Sequence, residues 1–271
     1  MKNKLAHYQQ ISRKIRRSIV RMHARSHTSH VGSALSCVDI LVSLYFAVLK
    51  IYPKNPDDRN RDKFILSKGH SASALYATLA HRGFFDSIAL ERYCISGGTM
   101  GGHSTRASVP RVETSTGSLG PGLSMGAGMA LAAKNDNVRN RIFVLLSDGE
   151  CEEGSVWEAA LFATQHHLDN LVAIVDYNKI QALGFTNKII NLEPLKRKWQ
   201  SFGWQAEEVD GHDFMENIRV LKKNPFKKNK PSVIIAHTIK GKGVSFMENK
   251  LEWHYRSPNE AETEQALKEL A

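Results

Sequence analysis

The segment Arg141–Ile180 constrains this chain more than any other. It opens with an apolar, β-branched-rich run, Ile142–Leu146, and closes with a second, Leu171–Val175. Neither run alternates with polar residues, which is how strands buried on both faces of a parallel sheet read. Between them, Val156, Ala159, Ala160, Ala163 and His167 recur at roughly helical spacing within Gly154–Leu168. Strand, helix and strand form one βαβ unit, so the two strands lie side by side and end on the same sheet edge. Asp148 follows the first strand and Asn178 the second. They are therefore expected about one strand spacing, roughly 5 Å, apart. Ligands of open α/β sheets gather outside those carboxyl ends.

An aspartate and an asparagine converging there offer two hard oxygens on a rigid edge. That suits Mg²⁺, which prefers octahedral oxygen and shares its shell with ligand phosphates. Gly149 removes a side chain where a phosphate would approach. The same residue types also serve many α/β proteins as a helix N-cap and a turn residue. Spacing alone leaves both readings open.

The 271 residues suffice for one large α/β domain or two small ones. No linker or internal repeat divides them, so a single domain over 1–271 is expected. No apolar run approaches the roughly 20 residues that span a bilayer, and MKNKLAHYQQISRKIRRS lacks the apolar core of a secretory signal. Cys37, Cys94 and Cys151 are odd in number and scattered, with no CxxC, so neither a disulfide framework nor a zinc site is indicated. A cytoplasmic protein with no membrane association is expected. The formal charge of +10 fits anionic ligands or an acidic partner. The basic run Lys222–Lys230 has one aromatic, a proline and no nucleic-acid module, so it reads as a solvated loop and no nucleic-acid partner is expected.

Around the central unit, residues 5–25 carry an apolar stripe of Leu5, Ile11, Ile15, Ile19 and Met22. Ser36 is a candidate cap for an apolar helix over Val38–Leu49. Strands are expected at Phe64–Ser67, Gln205–Val209 and Ser232–His237. Helices are expected at Ser73–Arg82, Leu123–Ala133, Pro194–Phe202 and Asp213–Leu221. Gly126, Ala127, Gly128, Ala130, Ala132 and Ala133 would let their helix approach the sheet closely. Ile95–Pro110 reads as a long loop, and Thr114–Gly122 as a glycine-rich loop that presents N–H groups to an anion ahead of a helix. Four histidines, His30, His70, His103 and His254, fall in separate loops that could converge at one sheet edge, where imidazoles suit hydrogen bonding and proton transfer near neutral pH.

The segments SHVGSALS, LSKGHSASALY, the GGH of Gly101–His103, TGSLGPGLSMG, SDGE, EGSVWEA, LDNLVAIVDYN and HTIKGKG followed by EWH resemble successive transketolase segments, in order, from about residue 10 to 260. The resemblance implies an α/β fold with a mostly parallel central sheet, helices on both faces, and a thiamine diphosphate site. By it, Asp148, Asn178 and the carbonyl of Ile180 hold Mg²⁺ (with Ca²⁺ or Mn²⁺ as alternatives), which anchors the diphosphate. Ser33, His70, Gly117, Ser118, Leu119, Gly149, Lys240 and His254 lie against the cofactor, and Gln181 is a further contact. His30, His103 and His254 face the substrate, with His70 near both. Glu153 either stabilises a helix start or reaches toward a partner's catalytic glutamate.

Thiamine diphosphate catalysis also needs a carboxylic acid against the cofactor's pyrimidine, and transketolases carry that glutamate on a second domain. No segment here is a candidate for it. The resemblance therefore implies a split enzyme. This chain would be the N-terminal, diphosphate-binding subunit, completed by a C-terminal subunit with the pyrimidine-binding domain in an α2β2 heterotetramer. The pair would move a two-carbon ketol unit from a ketose phosphate to an aldose or aldehyde; the chain alone would turn nothing over. Two positions depart from the family pattern. Ser104 follows His103 where proline is common, and Tyr255 follows His254 where glycine is usual, which puts the acceptor range in doubt. Rival readings are the alpha chain of a 2-oxoacid dehydrogenase, a deoxyxylulose phosphate synthase relative and a non-catalytic regulatory paralogue.

Overall fold

A computed structural model describes residues 2–106 and 108–271. Met1, and position 107 within the expected loop Ile95–Pro110, lie outside the described residues. Five strands form one parallel sheet: β1 (Lys63–Leu66), β2 (Ile142–Ser147), β3 (Leu171–Tyr177), β4 (Gln205–Asp210) and β5 (Ser232–His237), in the order β1-β2-β3-β5-β4. The expected βαβ unit is its centre. Ile142 pairs with Leu171, and the register runs to Ser147 opposite Asp176. All thirteen residues of β2 and β3 are buried, as a sheet covered on both faces requires.

Alternation along each strand sends side chains to two separate cores. Phe143, Leu145, Val172 and Ile174 join α1 (Lys2–Ser26), α2 (Val31–Ser36), α3 (Val38–Ser43) and α4 (Ala72–Arg82) on one face. Ile142, Val144, Leu146, Ala173 and Val175 join α5 (Pro121–Asn135) and α6 (Gly154–Gln165) on the other. The short α7 (Thr186–Ile189) follows β3, and α8 (Leu195–Ser201) packs on β4. Helices α9 (Phe214–Lys222) and α10 (Glu260–Glu269) complete the first face.

Helix α5 approaches the sheet as its composition suggested, but with only part of its small-residue set. A Cβ on Gly126 would stand 2.5 Å from a Val144 methyl, and Ala127, Ala130 and Ala133 are buried. Gly128 and Ala132 face outward.

The expected helix Val38–Leu49 is interrupted. After Ser43 the chain widens into a π turn, Leu44–Val48, in which the Leu49 N–H bonds the Leu44 carbonyl. Arg82 Nε donates to the Tyr45 carbonyl at 2.9 Å, diverting that acceptor from the helical ladder. Ser36 caps nothing at the start of α3. It sits inside α2, and its one hydroxyl proton has the Asp176 carboxylate at 2.6 Å and the Ser33 carbonyl at 2.9 Å as acceptors instead. Among the described residues no helix is long and apolar enough to cross a membrane.

Candidate functional site

The carboxyl ends of β1, β2 and β3 open into a cavity of about 290 Å³. Asp148, Gly149, Asn178, Ile180 and Gln181 form its wall on the β2–β3 side; Ser33, Gly117, Leu119 and Glu153 line it too, with His30, His70, His103 and His254. Of the residues singled out in the sequence, Ser118 and Lys240 stand off this surface. Ser118 is solvent-accessible, and Lys240 is fully buried behind it.

Asp148 is 1% exposed. Its carboxylate accepts from the Gly149 N–H at 2.8 Å, the Lys179 N–H at 2.5 Å and the Thr186 hydroxyl at 3.4 Å. Asn178 Oδ1 accepts from the Ile180 N–H at 3.1 Å. The cap and turn readings are thus realised alongside the cavity-facing one: the bonds that fix these loops also orient two oxygens toward one space. The Ile180 carbonyl accepts from Lys240 Nζ at 3.1 Å.

Burial, reinforced by the nearby Asp176 charge, pushes Asp148 up to about 6. Burial and then the Lys68 charge pull Lys240 down to about 7. A buried carboxylate that prefers its proton is one that an added cation would relieve. Among the described residues no three His, Cys, Asp or Glu side chains are grouped to hold a metal. One carboxylate, one amide oxygen and one carbonyl fit a hard ion that takes its remaining ligands from phosphate and water.

The four loop histidines meet around His30. Its ring centroid lies 5.3 Å from that of His70, 5.9 Å from His103 and 5.0 Å from His254. His30 adopts a left-handed backbone, φ 78°, and its N–H bonds the His254 carbonyl at 2.7 Å. That conformation is strained for a residue with a Cβ and is held by its surroundings. Burial first, then His103, Lys240 and Lys68, lower His30 to about 4. Burial and Lys240 take His254 to about 3. Burial and Lys68 hold His70 well below the ordinary imidazole range. At neutral pH these three rings are uncharged, each with one donor and one acceptor nitrogen. Lys240 Nζ lies 2.7 Å from His254 Nδ1; when the lysine donates, the ring proton of His254 resides on Nε2.

His103 is carried by a loop stitched to two others. The Ser104 N–H bonds the Gly69 carbonyl, the Thr116 N–H bonds the Ser104 carbonyl, and the two hydroxyls bond at 2.5 Å. A proline at 104 could not donate the first of these bonds. Gly69 has no room for a side chain, since a Cβ would stand 2.6 Å from the Thr116 carbonyl oxygen. Tyr255 stands at the rim, 64% exposed, its ring 4.8 Å from that of His254 and 6.1 Å from that of His30. Glu153 precedes α6 in the capping position, makes no side-chain cap bond and is exposed. Gln181 covers Gly149 and donates to Glu152 at 2.5 Å.

Two buried polar groups beneath the cavity were not singled out from the sequence. Glu150, 0% exposed, accepts from the Ser67 hydroxyl and from the Gly120 and Ser147 N–H groups, tying the glycine-rich loop to the ends of β1 and β2. Lys68 and Asp176, both with fully buried side chains, form an ion pair between the ends of β1 and β3. The carboxylate density of SDGECEEG is a signal for the first. A charged residue closing the apolar run of β3 is the signal for the second.

The family described as transketolase, thiamine diphosphate binding domain, matches residues 8–271. A component of the apulose-4-phosphate transketolase from Phocaeicola vulgatus, named as one of its subunits, is 40% identical, covering 96% of this chain and 92% of the relative. A 6-deoxy-6-sulfo-D-fructose transketolase subunit from a Clostridium species is 43% identical, covering 89% of this chain and 88% of the relative. The crystal structure of transketolase from Campylobacter jejuni superposes with a TM-score of 0.90 at 29% identity, covering 97% of this chain and 42% of that one. The chain thus spans about two-fifths of that full transketolase but nearly the whole of the relatives named as subunits. The chain belongs to the transketolase family, as an N-terminal thiamine diphosphate-binding domain of the kind that relatives named as subunits carry.

Proposed function

We propose that this chain is the diphosphate-binding subunit of a two-subunit transketolase. With a C-terminal subunit that supplies the pyrimidine-binding domain and its catalytic glutamate, it transfers a two-carbon ketol unit from a ketose phosphate to an aldose or aldehyde. The observation that carries this reading is the meeting, in one cavity, of the Asp148, Asn178 and Ile180 oxygens with four histidine rings centred on His30.

Asp148, Asn178 and the Ile180 carbonyl would hold Mg²⁺, or Ca²⁺ or Mn²⁺ in its stead, and through it the diphosphate. Ser33, His70, Gly117, Ser118, Leu119, Gly149, Gln181, Lys240 and His254 would complete the cofactor's surroundings. Bound thiamine diphosphate supplies the nucleophilic carbon and electron sink for carbon–carbon cleavage and formation. The chain's own part is to grip and to move protons. Uncharged His30 and His254 can each donate to one substrate hydroxyl oxygen or accept from its proton, and His103 faces the same space. With Lys240 donating to Nδ1, His254 would offer Nε2–H outward. Glu153, exposed and uncommitted, is available to a carboxylic acid arriving from the partner. Work on phosphorylated sugars fits a cytoplasmic enzyme, and a glutamate supplied by the partner fits an active site at each subunit boundary of an α2β2 assembly.

The test is an assay of ketol transfer with the purified chain, with the partner and with both, given thiamine diphosphate and Mg²⁺, alongside the mass of the mixture. Turnover only in the mixture, at the mass of two pairs, is the expected result. Turnover by the chain alone at a rate typical of enzymes, about 1–1000 per second, would overturn the two-subunit reading.

A further inference from the structure

Lys68 and Asp176 form an ion pair with no solvent access. Such pairs contribute little net stability, because desolvation offsets their attraction, and apolar replacements are often as stable. Stability alone therefore does not account for this one; its connections do. Lys68 Nζ also donates to the Ser33 carbonyl at 3.1 Å, and the Ser71 hydroxyl donates to the same carbonyl at 3.0 Å. Asp176 accepts from the Ser36 hydroxyl at 2.6 Å on one oxygen and from the Thr238 hydroxyl on the other. The pair thus joins four segments that reach the cavity separately: the turn after β1, helix α2, the end of β3 and the end of β5. Each carries a proposed site residue close by. His70 is two residues from Lys68, Asn178 two from Asp176, Lys240 two from Thr238, and Ser33 is bonded directly.

We propose that Lys68 and Asp176 are positioning residues that lock these four segments in register. The inference rests on the thiamine diphosphate reading for its effect on cofactor affinity, but not for its effect on the order of the four segments.

Single substitutions leave one buried charge without its partner and so report on folding. The informative variant is Lys68→Met with Asp176→Asn, which removes both charges and leaves an acceptor oxygen for one of the Ser36 and Thr238 hydroxyls and an amide N–H for the other to accept. In complex with the partner subunit it should melt within a few degrees of wild type while binding thiamine diphosphate with Mg²⁺ about 10–100-fold more weakly, as losing groups that orient ligands does. In the cofactor-free chain, amide hydrogen exchange should quicken at the turn after β1 and after the end of β5, while the rest of the sheet keeps its wild-type protection. Wild-type affinity together with unchanged exchange at those segments would overturn the proposal. If the double variant does not fold, Ser36→Ala with Thr238→Val carries the test by loosening Asp176 without touching a charge. Weakened cofactor binding at an unchanged melting temperature supports the locking role, and unchanged binding overturns it. Wild-type protein that binds no thiamine diphosphate would sink the functional reading instead, leaving the hydrogen exchange of the four segments to judge the locking role.

Discussion

At the scale of single residues, the chain invests in burial. Asp148 is held at about 6, above the ordinary 3.8, because folding removes it from water. A raised folded-state value means that its contribution to stability is fully present below about pH 3.8 and is lost as the pH rises through about 6. By neutral pH the difference corresponds to about 3 kcal/mol. Without cation or cofactor, Asp148→Asn should therefore resist urea better than wild type at pH 7.5, by about 1–3 kcal/mol, and no better at pH 4. Urea melts at both pH values check this; equal midpoints at pH 7.5 would deny the burial penalty.

Tyr255 is a second residue-scale lever, since its exposed ring borders His30 and His254. Tyr255→Gly should change the ratio of kcat/KM for a short aldehyde to that for a longer aldose phosphate by about tenfold, in favour of the longer acceptor. Rates on both acceptors with the reconstituted enzyme decide it. Asp148, Asn178 and the four histidines stand out in the sequence as polar residues directly after apolar runs or in loops, but spacing leaves their roles open and the family resemblance supplies them. Lys68 does not. In SKGHS it looks like any loop lysine, and only the fold turns it inward onto Asp176.

At the scale of elements, hydrophobic period and length carried the strands. Ile142–Ser147 and Leu171–Tyr177 extend the expected runs by one and two residues, into the polar residues that begin the site. The apolar stretch after Cys37 was less legible, because a run apolar on every face hides its hydrogen bonding. The Tyr45 carbonyl within the π turn is taken by Arg82, which lies in a different helix. On α5 the small residues divide into those that permit contact and those that do not. Gly126→Val would drive a branched side chain into Val144 and should destabilise the fold by about 1–3 kcal/mol or more. Gly128→Ala meets nothing within 4 Å and should stabilise by up to about 1 kcal/mol. Thermal melts of both variants test the assignment, and equal losses would contradict it.

At the scale of the whole molecule, the sheet order β1-β2-β3-β5-β4 brings the ends of β1, β2, β3 and β5 to one edge. Loops far apart in sequence, around His30, His70, His103 and His254, are packed against that edge. Neither the period of a strand nor the spacing of a motif specifies such convergence; the topology does. The proposed division of labour follows, with a rigid edge for cation and diphosphate here and the remaining reaction chemistry on a partner. The most direct measurement is a calorimetric titration of thiamine diphosphate with Mg²⁺ into the chain complexed with its partner, as wild type and as Asp148→Ala. Binding by wild type and a loss of about 100-fold or more in the variant, beyond what outer-shell losses produce, is the predicted result. Equal affinities would contradict the account.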